Sequence, residues 1–207
     1  GRRDSNRWIH IPATFFKALQ SQDAEAVVSE KDPSLENRPF VVPQARVLGG
    51  GSSVNGMIYM RGQAQDYDDW ASAYGCEGWS FREVLPVFKR QGKNTRLGDP
   101  FHGQDGPLVV ADPSEKHPVT LRLIDAAQAA GVPASDDFNG ASQEGVGWYQ
   151  VTAHGGRRQS AATCFLKPAL GRENLSLLPG LEVQRLRIEN RRAVAIEALD
   201  ETGQPVL

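Results

Sequence analysis

Cysteine is scarce in this sequence, and the positions of the two cysteines exclude two kinds of structural framework. Cys76 and Cys164 lie far apart among 207 residues, outside any CxxC or Cys/His ligand spacing. Neither a disulfide scaffold nor a zinc site is therefore predicted. Such low cysteine usage favours a reducing compartment, so we expect a cytoplasmic protein.

Long apolar runs and a strong excess of one charge are also missing. No apolar segment approaches the roughly 18 to 20 residues that a membrane-spanning helix needs. Residues 1–4 are not followed by the apolar stretch of a signal peptide, so none is expected. The formal net charge is -2, which gives no basic surface that would favour nucleic acid. We expect neither a nucleic-acid partner nor a membrane span.

The residues that are present are typical of a folded, loop-rich protein. Hydrophobic residues make up 40% and charged residues 23% of the sequence, which argues against disorder. The first predicted helix, over residues 79–91, begins with Ser80 and Glu83 at capping-box spacing. The second spans residues 119–130, after Pro118 as its first-turn proline, with an apolar face of Leu121, Ile124 and Ala127.

The C-terminal part of the sequence is rich in predicted strands. Residues 175–178, 183–188 and 193–199 have the composition of strands, and turn-forming residues separate them. Residues 200–207 read as a turn and the start of another strand, which we expect to stay unpaired. An unpaired strand start is unusual at a domain end, so the sequence is expected to be the middle of a longer polypeptide.

Three consecutive glycines, residues 49–51, stand directly before Ser52, Ser53 and an apolar stretch. Without a Cβ atom, such residues can adopt positive φ and let a ligand approach the main chain. Either serine can cap a helix that begins at VNGMIYM, which would aim N–H groups at an anionic or electron-accepting ligand. A flexible Gly/Ser connector is equally compatible with this pattern. The segment is not a P-loop, because no Gly-Lys-Ser/Thr follows the glycines, and it is not a GxGxxG fingerprint, because Val54 stands where the third glycine would be.

Residues 45–71, ARVLGGGSSVNGMIYMRGQAQDYDDWA, closely resemble the first signature of the glucose-methanol-choline (GMC) family of FAD-dependent oxidoreductases. The resemblance is nearest to choline-dehydrogenase-like members. It continues in the family's order through GCEGWSFREVLPVFKR, FHGQDGPLVV, DDFNGASQEGVGWYQVT, GGRRQSAATCFLKPA and RENLSLL. It therefore covers nearly the whole chain.

This resemblance implies that the glycine segment is a flavin loop. The implied cofactor-binding residues are Val47, Gly50, Gly51, Asn55, Gly56, Met57, Ile58 and Val183. Val183 would hold the adenine through its main chain, and the others would surround the flavin ring, ribityl chain and pyrophosphate. Some family members carry a histidine that is covalently bonded to the flavin where this sequence has Val54, so FAD is expected to bind non-covalently. Gly51 replaces a serine that is usual in the family.

The implied fold is a two-domain α+β flavoprotein, with an α/β FAD-binding domain and an antiparallel-sheet substrate domain. Residues 1–62 and 174–207 would belong to the FAD-binding domain, and residues 63–173 mainly to the substrate domain and connecting segments. The N-terminal βαβ unit and the C-terminal part with the catalytic histidine would lie outside this sequence. We therefore expect no catalytic residue within it.

The implied reaction is oxidation of a small alcohol, with hydride transfer from the carbinol carbon to flavin N5 and a histidine as proton acceptor. Two alternatives remain open: a lyase of the hydroxynitrile-lyase type on the same scaffold, and a non-catalytic fragment of a flavoprotein. The isolated chain is expected to be inactive, because it would lack part of the cofactor site and the base.

Other residues with chemical potential are expected to have structural roles. His102 is predicted to anchor a loop, and the three aspartates within residues 66–69 to start a helix. Arg157 and Arg158 suit either a phosphate contact or a structural turn. The tryptophans expected in the core are Trp70, Trp79 and Trp148.

Overall fold

The computed structural model describes residues 3–206, which divide into two compact units. The first unit contains residues 3–54 and 161–206, and the second is Asn55–Ser160. Gly1, Arg2 and Leu207, the last residue of the predicted final strand, lie outside the described residues. The chain crosses between units after Val54 and after Ser160, earlier than the predicted boundaries after residues 62 and 173. The assignment of the units to FAD-binding and substrate domains stays a prediction.

Helices and strands alternate along the described chain. Numbered in chain order, the helices are α1 (Arg7–His10), α2 (Phe15–Leu19), α3 (Ala64–Ser72), α4 (Phe81–Gln91), α5 (Pro118–Ala129) and α6 (Lys167–Ala169). The strands are β1 (Ala24–Val28), β2 (Val41–Ala45), β3 (Gly92–Asn94), β4 (Leu108–Val110), β5 (Ala153–His154), β6 (Arg157–Arg158), β7 (Glu182–Glu189), β8 (Arg192–Leu199) and β9 (Pro205–Val206). Short 3₁₀ helices form at Pro12–Thr14, Pro33–Leu35 and Gly50–Ser53, and a π-helical turn at Ala162–Leu166. This mixture of helices and small sheets confirms the predicted α+β class.

In the first unit, a small apolar cluster holds the N-terminal helices against the glycine segment. Ile9 of α1 and Ala18 of α2 are fully buried and pack with Val47 and Val54. Burial of this apolar surface stabilises the two short helices, which are too short to be stable alone. The residues on both sides of the glycine triplet are therefore fixed by the core of the unit.

The C-terminal strands of the first unit form a three-stranded antiparallel sheet in the order β7, β8, β9. Asn190 and Arg191 both have positive φ, as a two-residue hairpin turn requires. The strands predicted over residues 183–188 and 193–199 are confirmed.

Two predictions about this C-terminal region are wrong. Residues 175–178 lie outside the strands, because strand-like composition does not by itself supply a pairing partner, and none is found among residues 3–206. The final strand is not left unpaired, since β9 pairs with β8 from Ala198 to Leu199. The turn that precedes β9 is closed by Asp200, whose Oδ1 accepts hydrogen bonds from the main-chain N–H groups of Thr202 and Gln204.

The second unit contains the two predicted helices. Ser80 and Glu83 form the predicted capping box at the start of α4. At α5, His117 Nδ1 accepts a hydrogen bond from Val119 N at 3.2 Å, and Pro118 occupies the first turn. Both helices are thus confirmed. On the predicted apolar face of α5, Ile124 and Ala127 are half-buried, whereas Leu121 is exposed.

Helices α3 and α4 meet through aromatic side chains. The ring centroids of Trp70 and Trp79 are 5.7 Å apart in an edge-on arrangement, and those of Tyr67 and Phe88 are 5.8 Å apart. Trp70 and Trp79 are nevertheless 44% and 51% exposed, so their predicted place in the core is wrong within the described chain. Among residues 3–206, we find no helix with the length and apolarity needed to cross a membrane.

Candidate functional site

The glycine segment forms a tight turn of the main chain. Gly49 and Gly50 have φ of 91° and 55°, and Gly50–Ser53 makes a single 3₁₀ turn. Ser53 Oγ donates a hydrogen bond back to the carbonyl oxygen of Leu48 at 2.9 Å, and Ser52 Oγ donates to that of Gly49. The helix expected to begin at VNGMIYM does not form. Both serine hydroxyls donate to carbonyl groups of the preceding turn, and Ser52 Oγ accepts a hydrogen bond from Ala161 N at 2.9 Å, far along the sequence from the expected helix.

The three glycines differ in what the structure requires of them. A Cβ atom on Gly49 would collide with Ser53 Oγ and lie 3.0 Å from Ala162 Cβ, so this position is closed by packing within the first unit. Gly50 needs its left-handed φ of 55°, which other residues adopt at a cost of about 1–2 kcal/mol. A Cβ atom on Gly50 or Gly51 would meet no described atom within 4 Å. Packing therefore explains Gly49, whereas the space beside the other two is open.

Val47 and Val54, at either end of this turn, direct their side chains into the core of the first unit. Both are almost fully buried. The carbonyl oxygen of Val47 accepts a hydrogen bond from Gly50 N at 3.0 Å, which closes the turn. Val47 can therefore meet a ligand only through its main chain.

In the second unit, residues 55–58 continue the predicted flavin loop. Asn55 and Gly56 are exposed, and a Cβ atom on Gly56 would also meet no described atom within 4 Å. The side chain of Met57 is buried at a φ of 66°, whereas Ile58 is 59% exposed. Among these four residues, Met57 alone is buried, and it is also the one with a left-handed main chain.

Val183 lies near the start of β7 in the first unit, where it pairs with Ala198 of β8. The register of the two strands shifts between Val183 and Arg185, which marks a bulge. The side chain of Val183 is 58% exposed. Its predicted main-chain contact with adenine stays a prediction.

Sequence reasoning left the role of Arg158 open, and the structure shows what it contacts. Arg158 is 1% exposed and its Nη1 donates to both the carbonyl oxygen and Oδ1 of Asn55, each at 2.8 Å. Its neighbour Arg157 is exposed. Only the alternation of inward and outward positions in a short strand, β6, could have indicated this difference.

His102 is the centre of a buried polar network in the second unit. Its Nε2 lies 2.7 Å from Asp137 Oδ2 and its Nδ1 lies 3.2 Å from Asn94 Nδ2. Since an amide nitrogen can only donate, Nδ1 accepts and Nε2 carries the proton that faces Asp137. Asn94 in turn exchanges hydrogen bonds with Gln150. His102 thus anchors a loop, as the sequence predicts.

Two of the three aspartates within residues 66–69 accept hydrogen bonds from main-chain N–H groups at the start of helices. Asp66 Oδ2 accepts from Gln63 N at 2.7 Å in the capping box of α3, and Asp68 Oδ1 accepts from Phe81 N at 2.9 Å beside α4. The predicted position at a helix start is confirmed for Asp66, whereas Asp68 and Asp69 lie beyond the first turn of α3. The described residues contain no group of three or more histidine, cysteine, aspartate or glutamate side chains that could hold a metal ion.

The pKa of Glu83 is held below its ordinary value. The Ser80 hydroxyl donates a hydrogen bond to its carboxylate, and the Ser80 main-chain N–H donates a second one. Both bonds favour the ionised form. The capping box of α4 is therefore strongest when Glu83 is charged.

Comparison with protein families gives this chain a place among known proteins. A family model described as GMC oxidoreductase matches residues 21–206. The chain belongs to the GMC oxidoreductase family. The match includes the glycine segment and both crossings between the units, and it confirms the resemblance recognised in the sequence.

Two relatives in this family are named oxygen-dependent choline dehydrogenase. The protein of Brucella anthropi is 41% identical over 198 residues, which is 95% of this chain and 36% of that protein. The protein of Sinorhizobium fredii is 42% identical over the same share of each chain. The chain thus spans 36% of the length of these relatives.

Two solved structures share the fold of this chain. Pyridoxine 4-oxidase from Mesorbium loti superposes with a TM-score of 0.92 at 30% identity, over 100% of this chain and 41% of that protein. An FAD-dependent oxidoreductase from Chaetomium thermophilum gives a TM-score of 0.89 at 25% identity, over 99% and 38%. The fold of the described chain is therefore that of a segment of these larger proteins.

Proposed function

We propose that this chain is part of a longer FAD-dependent oxidoreductase that oxidises the CH–OH group of a small alcohol. One observation carries the proposal: the main chain at Gly50, Gly51 and Gly56 borders open space that a Cβ atom would enter. The flanking valines are fixed in a core, so the turn itself is firmly held. Close access to a rigid main chain is what a large planar ligand requires.

The residues proposed to hold FAD are the eight predicted from the sequence. Val47, Gly50 and Gly51 would contribute main-chain groups in the first unit, and Asn55, Gly56, Met57 and Ile58 in the second. Val183 would contribute its main chain at the bulge of β7. When bound, FAD supplies the two-electron chemistry that accepts hydride from the carbinol carbon. Main-chain N–H groups of this segment would stabilise negative charge on the reduced ring.

Non-covalent binding of FAD is supported by the environment of Val54. Its side chain has no nucleophilic atom and is buried in the core of the first unit. A residue that formed a bond to the cofactor would need a reactive atom directed away from that core.

The proton-accepting base is proposed to lie outside this chain. Both ring nitrogens of His102 already face Asp137 and Asn94, and His117 caps α5. His10 lies 3.4 Å from the buried carboxylate of Asp4. His154 is exposed in β5. The cytoplasmic location predicted from low cysteine usage stays a prediction.

Anaerobic mixing tests the proposal. The full-length protein is purified, its FAD content is determined, and it is mixed without oxygen with primary alcohols that include choline and pyridoxine. We expect loss of the visible absorption of oxidised flavin, because the flavin would accept the hydride and no oxygen is present to reoxidise it. Flavin that stays oxidised with every alcohol, while a cyanohydrin is cleaved, would favour the lyase alternative. A full-length protein without flavin would contradict the proposal.

A further inference from the structure

A small hairpin in the second unit lies beside residues 55–57 of the same unit. Strands β5 and β6 are joined by Gly155 and Gly156, whose φ of 56° and 71° fit a two-residue hairpin turn. Side chains of successive strand residues point to opposite faces. Arg157 is accordingly exposed, whereas Arg158 is buried.

The hairpin and the residue before it bind both ends of the turn formed by residues 55–57. Arg158 Nη1 donates to the carbonyl oxygen and Oδ1 of Asn55, each at 2.8 Å. The same Oδ1 accepts from Met57 N at 3.0 Å. At the other end, Thr152 N donates to the carbonyl oxygen of Met57 at 2.8 Å. One guanidinium nitrogen thus fixes Asn55 in the rotamer that closes the turn.

This turn needs to be held. Met57 adopts φ of 66°, a left-handed conformation that is unfavourable for a residue with a Cβ atom. Such conformations persist where the surrounding structure determines them, and they are common beside ligands. Hydrogen bonds from a charged donor are stronger than neutral ones, and Arg158 supplies two of them. Without Arg158, Asn55 would lose the contacts that orient its main chain and its side chain together.

We propose that Arg158 is a positioning residue for the FAD site, which acts through Asn55 and does not itself touch the cofactor. This inference rests on the proposed function, in which residues 55–58 contact the flavin. By fixing the turn before the ligand arrives, Arg158 removes an ordering cost that FAD binding would otherwise have to meet.

The first test measures FAD affinity of the full-length protein carrying Arg158→Met, with Arg157→Met as the matched control. The control changes the same residue type on the exposed face of the same hairpin. We expect the dissociation constant of FAD to rise about tenfold or more for Arg158→Met, equivalent to ~1.4 kcal/mol, and to stay within about twofold for the control. An unchanged affinity in Arg158→Met would overturn the inference.

A double-mutant cycle separates positioning from a general structural role. Arg158→Met and Asn55→Ala are combined, and the dissociation constant of FAD is compared across the four proteins. Because Arg158 acts through Asn55, Arg158→Met should raise the dissociation constant of FAD by a factor at least about threefold smaller in the Asn55→Ala background than in the wild type. An equal effect in both backgrounds would show that Arg158 supports the fold alone, and it would refute the proposal.

Arg158→Lys provides the second variant if Arg158→Met does not fold, and the same cycle is then run with it. Lysine keeps the charge but lacks the planar fork of donors, so we expect a smaller loss of FAD affinity of the same sign. Thermal unfolding of the flavin-free variants is measured in parallel. A wild-type protein that binds no FAD would disprove the proposed function. Wild-type FAD affinity in the variants of Arg158 would disprove only this inference.

Discussion

Replacing Gly51 by valine isolates the contact between the glycine turn and FAD. Gly51 lies outside the set of residues with positive φ, and a Cβ atom there would meet no described atom within 4 Å. The flavin-free protein should therefore lose little stability. Replacement of a glycine by alanine at a compatible φ even stabilises proteins by about 0.4–1 kcal/mol. The new side chain would instead occupy the space that we assign to the cofactor.

The expected effect on FAD binding is much larger than the effect on stability. Overpacking of a well-filled site costs typically about 1–3 kcal/mol, which corresponds to a loss of affinity of roughly fivefold to more than a hundredfold. Gly50→Val should add the backbone cost of about 1–2 kcal/mol, because Gly50 has positive φ. The two variants should thus share the loss of FAD and differ in the stability of the flavin-free protein.

The assay is FAD content after purification of the full-length protein, followed by titration of the flavin-free protein with FAD. Thermal unfolding of the flavin-free protein is the control for folding. If Gly51→Val retains FAD as the wild type does, the open space beside the turn is not the cofactor site. The triplet would then be a connector, as its composition also allows.

Further predictions concern stability and its pH dependence. Gly49→Ala should destabilise the flavin-free protein by about 2–5 kcal/mol in a urea titration, because overpacking adds to the cost of a left-handed backbone; wild-type stability would refute the packing account. Ile9→Ala should cost about 2–5 kcal/mol, whereas the same change at the exposed Ile11 should cost far less; equal losses would contradict the proposed core. Because the pKa of Glu83 is lowered from its ordinary value of 4.5, ionised Glu83 stabilises the start of α4 fully at pH values above 4.5. This contribution should disappear as the pH falls through the lowered pKa. Circular dichroism of Glu83→Gln should lack this part of the acid transition, and an unaltered transition would refute it.

Local signals in the sequence were sufficient for helices α4 and α5 and for the C-terminal hairpin. The capping box of α4 and the first-turn proline of α5 act within a few residues, so they can be recognised without knowledge of the fold. Residues 175–178 failed as a strand, because pairing depends on a neighbour that composition cannot specify. The helix expected after Ser53 does not form for a related reason, since the Ser53 hydroxyl binds the carbonyl group of Leu48 in the preceding turn.

The candidate site could be predicted only in part. The family motif located the glycine segment, and the structure then separated a glycine required by packing from two that border open space. That separation depends on the placement of Ser53 Oγ and of Ala162, which lies far along the sequence from Gly49. The role of Arg158 depends in the same way on a contact with Asn55 that joins distant parts of the chain. Interactions of this kind become visible only in the folded structure.

The central claim is that residues 50–58 line the FAD site, and amide hydrogen exchange tests it most directly. The full-length protein is compared with and without FAD, and exchange is measured in peptides that cover these residues and, as a control, α5. The account predicts slower exchange across residues 50–58 when FAD is bound, because the cofactor would cover their main chain, and no change in α5. Equal exchange across residues 50–58 in the two states would contradict it.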